Sequence, residues 1–432
     1  MTKKIWLLIS MFCLILTGCS DRSYKGYVDM GGEEDFPDEP IPVMVAVGDP
    51  SYSVLTRKAG AFDSLHIDDT AWKQAVFYIY AFNVENGADY KVTRKSEANK
   101  NNDICLIDGS MDREDAMGGK PARLNQGDFS FLEWLNEPYN IYYNTLHPNL
   151  PYKFYAYYVD DLEIPDSEIQ RETDRIYFNV EIDGSQDLMS SVAKLTDTQK
   201  ESIEDKYINN KSEKDKLLNS LYSAYAANRG INPMFTFKHH LSRFKFRIYP
   251  GKPEASQVYV DSICMYSHTK GVFTVVSKHE TEIGVDFSAD EALQPLYLTE
   301  RGGGDLDQKR YKVLYNPNGM DETKYANLDV YSRNYLPVGE SLLVAPDDSY
   351  QVIVHLRQEF DDGKATQYYL TEYNLTSAIK DKVETKGFSP GKAYVVRIAI
   401  FGVQEVKIQV VAVDTWQDGG YTDINPDDFF EY

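Results

Sequence analysis

Cysteine is scarce, with four residues in a chain of 432. A chain of this length therefore does not rest on a disulfide framework and has to bury a core, with room for two domains or three. Two of the four, Cys13 and Cys19, lie in the opening stretch, which leaves Cys105 and Cys264. A bridge needs Cα atoms within about 7 Å, and residues so distant in sequence are expected to stay free thiols. Positive charge is also in deficit: 45 Lys and Arg face 67 Asp and Glu, a net charge of -22. Such a field repels phosphate backbones, so no nucleic-acid partner is expected. Catalytic and metal motifs are missing, including HExxH, paired CxxC, a P-loop, GxSxG and an EF-hand loop. His239 and His240 adjoin each other, so in a strand they point to opposite faces and cannot share a metal. Gly302-Gly303-Gly304-Asp305 follows no strand-to-helix pattern and reads as a loop. The expectation is a non-enzyme without cofactor or metal. An apolar run long enough to span a membrane is absent as well, since residues 5–16 are too short and are broken by Ser10.

That short run has another meaning. Lys3 and Lys4 precede it, and together they form the n-region and h-region of a secretory signal. It ends in Leu16-Thr17-Gly18-Cys19, which resembles the lipobox of bacterial lipoproteins. The resemblance implies a signal peptide over 1–18 and diacylglyceryl transfer to the thiol of Cys19, followed by a membrane anchor of several acyl chains. Residues 19–40 hold Asp, Glu, Gly and Pro with few large apolar groups, so they cannot bury enough surface to offset ordering entropy. They read as an acidic, lipidated tether.

What fills the rest is β pattern. Tyrosine alone numbers 33, which suits sheets with half-exposed aromatic faces. Alternation marks 41–47, 75–82, 152–159 and 175–182, then 257–266, 350–356, 392–400 and 403–413. Turn signals separate them, such as Glu85-Asn86-Gly87 and Ser389-Pro390-Gly391. Short strands at this spacing predict an all-β chain of sandwiches or barrels rather than a parallel sheet. Residues 195–228 break the pattern: no proline, a capping Thr196 or Asp197, and Leu217, Leu218, Leu221, Tyr222 and Tyr225 at helical spacing predict a helical insert of one or two helices. The expected division is a first sandwich over 41–195, an insert and linker over 196–232 and a second sandwich over 233–432.

Within 235–248 (FTFKHHLSRFKFRI), Phe235, Phe237 and Leu241 share one parity and Phe244, Phe246 and Ile248 the other. A bulge near Ser242, or two strands meeting there, would reconcile them. Arg243, Lys245 and Arg247 then form a basic row, expected to be a solvated outer face rather than an anion site.

In order along the chain, these landmarks resemble the fimbrillin family of Bacteroidetes, the Mfa-like pilins of type V pili. They are the lipobox, Thr56-Arg57-Lys58-Ala59-Gly60, AVFYIYAFN at 75–83, YKFYAYYVD at 152–160, DLMSS at 187–191, FTFKHHLSRFKFRI, and VKIQVVAVDTWQDGG at 406–420. The resemblance implies two transthyretin-like β-sandwich domains in tandem, outer-membrane export as a lipoprotein, maturation by an arginine-specific protease and polymerisation by strand exchange. Carried to this chain, cleavage falls after Arg57, with Lys58 offering a competing basic bond. It would remove Val43, Val45, Val47 and Val54, whose alternation suits a core strand, and open a groove for a strand of another fimbrial subunit. The lipid-anchored precursor would then pass from the cell outer membrane to a fimbrium. Shaft, tip and accessory roles stay open, as does a donor strand at the C-terminus. The alternative is a surface glycan-binding lipoprotein that does not polymerise, its tyrosines serving as stacking platforms; on either reading a host surface or glycan is a further partner.

Overall fold

The computed structural model describes residues 40–47, 75–84, 89–111, 118–125, 131–160, 164–250, 257–287, 292–300, 305, 311–312, 336–360, 364–376, 387–402 and 405–413. Cys19, Val54, Arg57 and Lys58 lie outside them. The chain is mostly β-sheet with a small helical insert.

A seven-stranded sheet runs in the order Lys238–His239, Leu188–Val192, Tyr152–Val159, Phe77–Asn83, Lys120–Leu124, Leu132–Trp134, with Cys105–Ile107 paired to Phe77–Asn83. A four-stranded sheet faces it, in the order Gly284–Phe287, Lys270–Ser277, Arg175–Glu181, Gln170–Arg171. Aromatic rings join the layers: Tyr157 meets Phe178 at 5.3 Å and Phe273 at 6.0 Å, and the Tyr155 hydroxyl donates to the Ser277 carbonyl at 3.2 Å. The two central strands differ from the alternation expected of them. Every residue of Phe77–Asn83 is buried, and all but Lys153 in Tyr152–Val159. Their second face is covered too, by Phe237 against Phe77, Tyr143 against Phe154 and Tyr222 against Phe154. A strand covered on both faces has no reason to alternate.

A second pair of sheets is built from later chain. One runs Leu336–Val344, Ser242–Pro250, Ala393–Gly402, Glu405–Val413. The other runs Gln294–Tyr297, Val258–Ser267, Ser349–Gln358, Gln367–Thr376, with Tyr311–Lys312 paired to Val258–Ser267. Phe244 and Tyr350 meet between them at 5.2 Å, with Phe388 and Tyr394 beside Phe244. The chain passes between the two groups more than once. Lys270–Ser277 follows Val258–Ser267 directly, yet pairs antiparallel with Arg175–Glu181.

The slip of parity in 235–248 is resolved by two strands, Lys238–His239 in the first group and Ser242–Pro250 in the second. The insert comprises three helices. α1 (Asp197–Lys206) opens on a capping box in which the Thr196 side chain accepts from the Gln199 amide and the Gln199 side chain accepts from the Thr196 amide. α2 (Lys211–Asn219) is capped by Asn210 and the short α3 (Ala224–Ala227) by Ser223. The insert buries Ile203, Leu217, Tyr222 and Tyr225. Cys105 and Cys264 are both buried and unpaired.

Candidate functional site

Residues 41–47 lie in a groove in the first group of sheets. Ile41, Val43, Val45 and Val47 are buried, Val45 at 1% exposure, while Pro42 and Met44 between them are only partly covered and Ala46, beside Met234–Phe235, is buried as well. From Ile41 to Val45 that is the period of an extended strand. Its backbone is held from both sides. On one, the Val43 amide donates to the Ile141 carbonyl at 2.7 Å and the Tyr143 amide to the Ile41 carbonyl at 2.9 Å. Farther along, the Leu132 amide donates to the Val45 carbonyl at 2.9 Å, and the Trp134 indole reaches the Val43 carbonyl at 3.3 Å. On the other side the Ala46 amide donates to the Pro233 carbonyl at 2.8 Å, and Ala46–Val47 pairs parallel with Met234–Phe235. The walls are Leu132, Trp134, Ile141, Tyr143 and Phe235, all buried.

Of the residues expected at the removed strand, the structure thus gathers Val43, Val45 and Val47 in one groove; Val54 and the bonds after Arg57 and Lys58 fall outside the described residues. The groove walls escaped the sequence reading. Trp134 sits in a three-residue strand and Ile141 in irregular chain, where no period marks them.

Two motifs that carry the family resemblance are hydrogen-bonded to each other. Within the first, Ser190 and Met189 pair with Lys238 and His239 of the second. The side chains repeat the pairing: Ser191 Oγ donates to the Thr236 carbonyl, Asp187 Oδ2 lies 2.8 Å from His239 Nδ1, and Ser190 Oγ lies 2.7 Å from His240 Nε2. The adjacent histidines thus have separate partners. Burial pushes the His240 imidazole down to about 4, against a smaller opposing pull from Asp187. Among the described residues no group of three or more His, Cys, Asp or Glu stands where it could hold a metal.

The basic row differs from its expected solvated face at one end. Arg243 is 1% exposed, and its Nε donates to Ser341 Oγ at 2.9 Å. Lys245 and Arg247 are only partly covered. Arg243 stands where Ser242–Pro250 leaves Lys238–His239, in register with Leu343 and Ala393 of the strands on either side, so it sits in the middle of its sheet rather than at an edge.

No family model and no curated protein matches this chain. Among solved structures, it resembles a candidate cell adhesion protein from Bacteroides uniformis, at 14% identity over 89% of this chain and all of that one, with a TM-score of 0.44. The tip fimbrial protein Mfa3 of Porphyromonas gingivalis matches at 7% identity over 87% of this chain and all of that one, with a TM-score of 0.33. The fimbrial anchor protein Mfa2 of the same organism matches at 8% over the same shares, with a TM-score of 0.30. These solved structures come from adhesion and fimbrial proteins of Bacteroidetes.

Proposed function

We propose that this chain is a structural or accessory subunit of a type V fimbria, exported as a lipoprotein through Cys19 and assembled by strand exchange after cleavage at Arg57. The observation that carries the reading is the seat of residues 41–47. Four alternate apolar side chains fill a groove whose walls belong to residues 131–143 and 233–235, and the segment stands upstream of Arg57 in sequence. Cleavage after Arg57 would sever it from all later strands and leave it held by noncovalent contacts alone. Each buried valine or isoleucine is worth about 2 kcal/mol, and the empty groove would present unpaired amides and carbonyls at its rim. A strand of similar alternation from another subunit would restore both. Partners on this reading are other subunits, a maturation protease and, before cleavage, the outer membrane.

The test is to treat the purified precursor with an arginine-specific protease, read the new N-terminus and follow particle size by light scattering. A start at Lys58 with growing oligomers supports the mechanism. A product that keeps residues 41–47 bound and stays monomeric alongside its partner subunits overturns it.

A further inference from the structure

Among the described residues, the exposed large apolar or aromatic side chains that stand on strands are Tyr297, Tyr368 and Leu370, at 52%, 73% and 54% exposure, and all three belong to one sheet. The register puts them on one face. Tyr297 is opposite Cys264, which is opposite Ile353; Leu370 is opposite His355, and Tyr368 opposite Arg357. Tyr350, Val352, Val354 and Leu356 alternate with these on the neighbouring strand and fill the core; the tyrosine face is the opposite one, exposed on its two outer strands while Cys264 and Ile353 between them are buried. Counting three strand spacings and four residues along a strand, the two tyrosines stand roughly 19 Å apart on a diagonal.

A cavity of about 310 Å³ lies between them, lined also by Asp261, Ser262, His355 and Asp305. That volume falls at the lower end of small-molecule sites. We infer that this face is a binding groove for neutral oligosaccharides. Phenol rings flank it, offering flat apolar faces to the C–H side of a pyranose, while carboxylates, an imidazole and a hydroxyl on the floor can bond to sugar hydroxyls. One carboxylate is held in place in advance: Arg357 Nε donates to Asp261 Oδ1 at 3.0 Å, and the same guanidinium lies 5.0 Å from the centre of the Tyr259 ring. Fixed acceptors lower the ordering cost of binding. The diagonal suits a short chain of sugars better than a single ring. Charge selects among glycans: Asp261 is offset by Arg357, but with Asp305 in the groove and a net charge of -22, sialylated or sulfated chains are repelled.

The inference does not rest on polymerisation, and its test is separate. The purified full chain is screened on an array of neutral and sialylated oligosaccharides, and the best neutral ligand is titrated calorimetrically. Binding at a dissociation constant of about 1 mM or tighter is expected. The double variant Tyr297→Ala, Tyr368→Ala should weaken it at least about tenfold, whereas Tyr297→Phe, Tyr368→Phe stays within about threefold because the rings remain. Tyr368→Ala alone, at the more exposed ring, should weaken binding while leaving the melting temperature in place, which separates loss of the site from loss of the fold. No binding to any neutral oligosaccharide, equal binding by the double alanine variant, or preference for sialylated chains would overturn the inference. So would an effect of these alanines on subunit assembly alone, which would make the face a protein contact.

Discussion

Burial decides the charge of His240. Its ring lies against Phe273 at 5.4 Å and shares a hydrogen bond with Ser190, while Asp187, His239 and Lys238 are the charged or titratable groups that act on it. Desolvation pushes the imidazole from 6.5 to about 4, so the folded chain resists a proton that the unfolded chain accepts. The contribution to stability is complete above pH 6.5 and is lost as pH falls from there through 4. A gap of that size corresponds to on the order of 3 kcal/mol at full protonation. His240→Gln cannot titrate. Denaturant melts at pH 7.5, 6, 5 and 4 should therefore show the wild type losing more stability than the variant across that window, and parallel losses would refute the assignment. The sequence alone set the two histidines on opposite faces, and in the structure they take separate partners, Asp187 and Ser190. The sequence could not reveal how Arg243 is buried, since alternation tells which face a side chain takes and not what covers that face.

Strands are the scale at which the sequence was most legible, and its errors there have one cause. The helical insert was readable from Thr196 and the Leu217-to-Tyr225 spacing, although three helices form where one or two were expected. Phe77–Asn83 was located correctly but is buried on both faces, because residues 231–237, 141–143 and the insert form a further layer that no local pattern announces. Residues 41–47 do alternate, and their burial follows the pattern from Ile41 to Val45, after which Ala46 is buried along with Val47. That alternation has a measurable consequence. Val45→Ala removes two methyl groups from a site 1% exposed and should cost about 2 kcal/mol, transfer and cavity together. Met44→Ala, at a side chain only partly covered, should cost well under half of that. Chemical denaturation of both variants checks the pair, and equal losses would mean that the segment is not seated as a strand with one buried face.

For the whole molecule, the question is whether the two groups of sheets can stand alone. The division into 41–195 and 233–432 remains a proposal, and strand exchange inside the chain bears directly on it. Lys270–Ser277 completes the sheet that holds Arg175–Glu181, and its Phe273, Val275 and Val276 are all 0% exposed. At roughly 2 to 3 kcal/mol for each, their loss removes about 7 kcal/mol, a large part of the 5–15 kcal/mol that a typical domain holds in total. Cutting the chain at 232 would also remove Phe235 and Phe237, which pack at 6.0 Å from each other, with Phe237 4.8 Å from Phe77. A fragment of residues 40–232 is therefore expected to lack a cooperative melt and to bind a hydrophobic dye, with Phe178 and Tyr157 uncovered. Extending it to residue 288 supplies Met234–Phe235, Lys238–His239, Lys270–Ser277 and Gly284–Phe287. It also brings Ser242–Pro250 and Val258–Ser267, whose own partners stay behind, so the extended fragment should regain a melt but at lower temperature than the full chain. Comparing thermal melts by circular dichroism for the two fragments and the full chain decides the matter: a sharp transition in 40–232 alone would show that the first sandwich closes without the later hairpin.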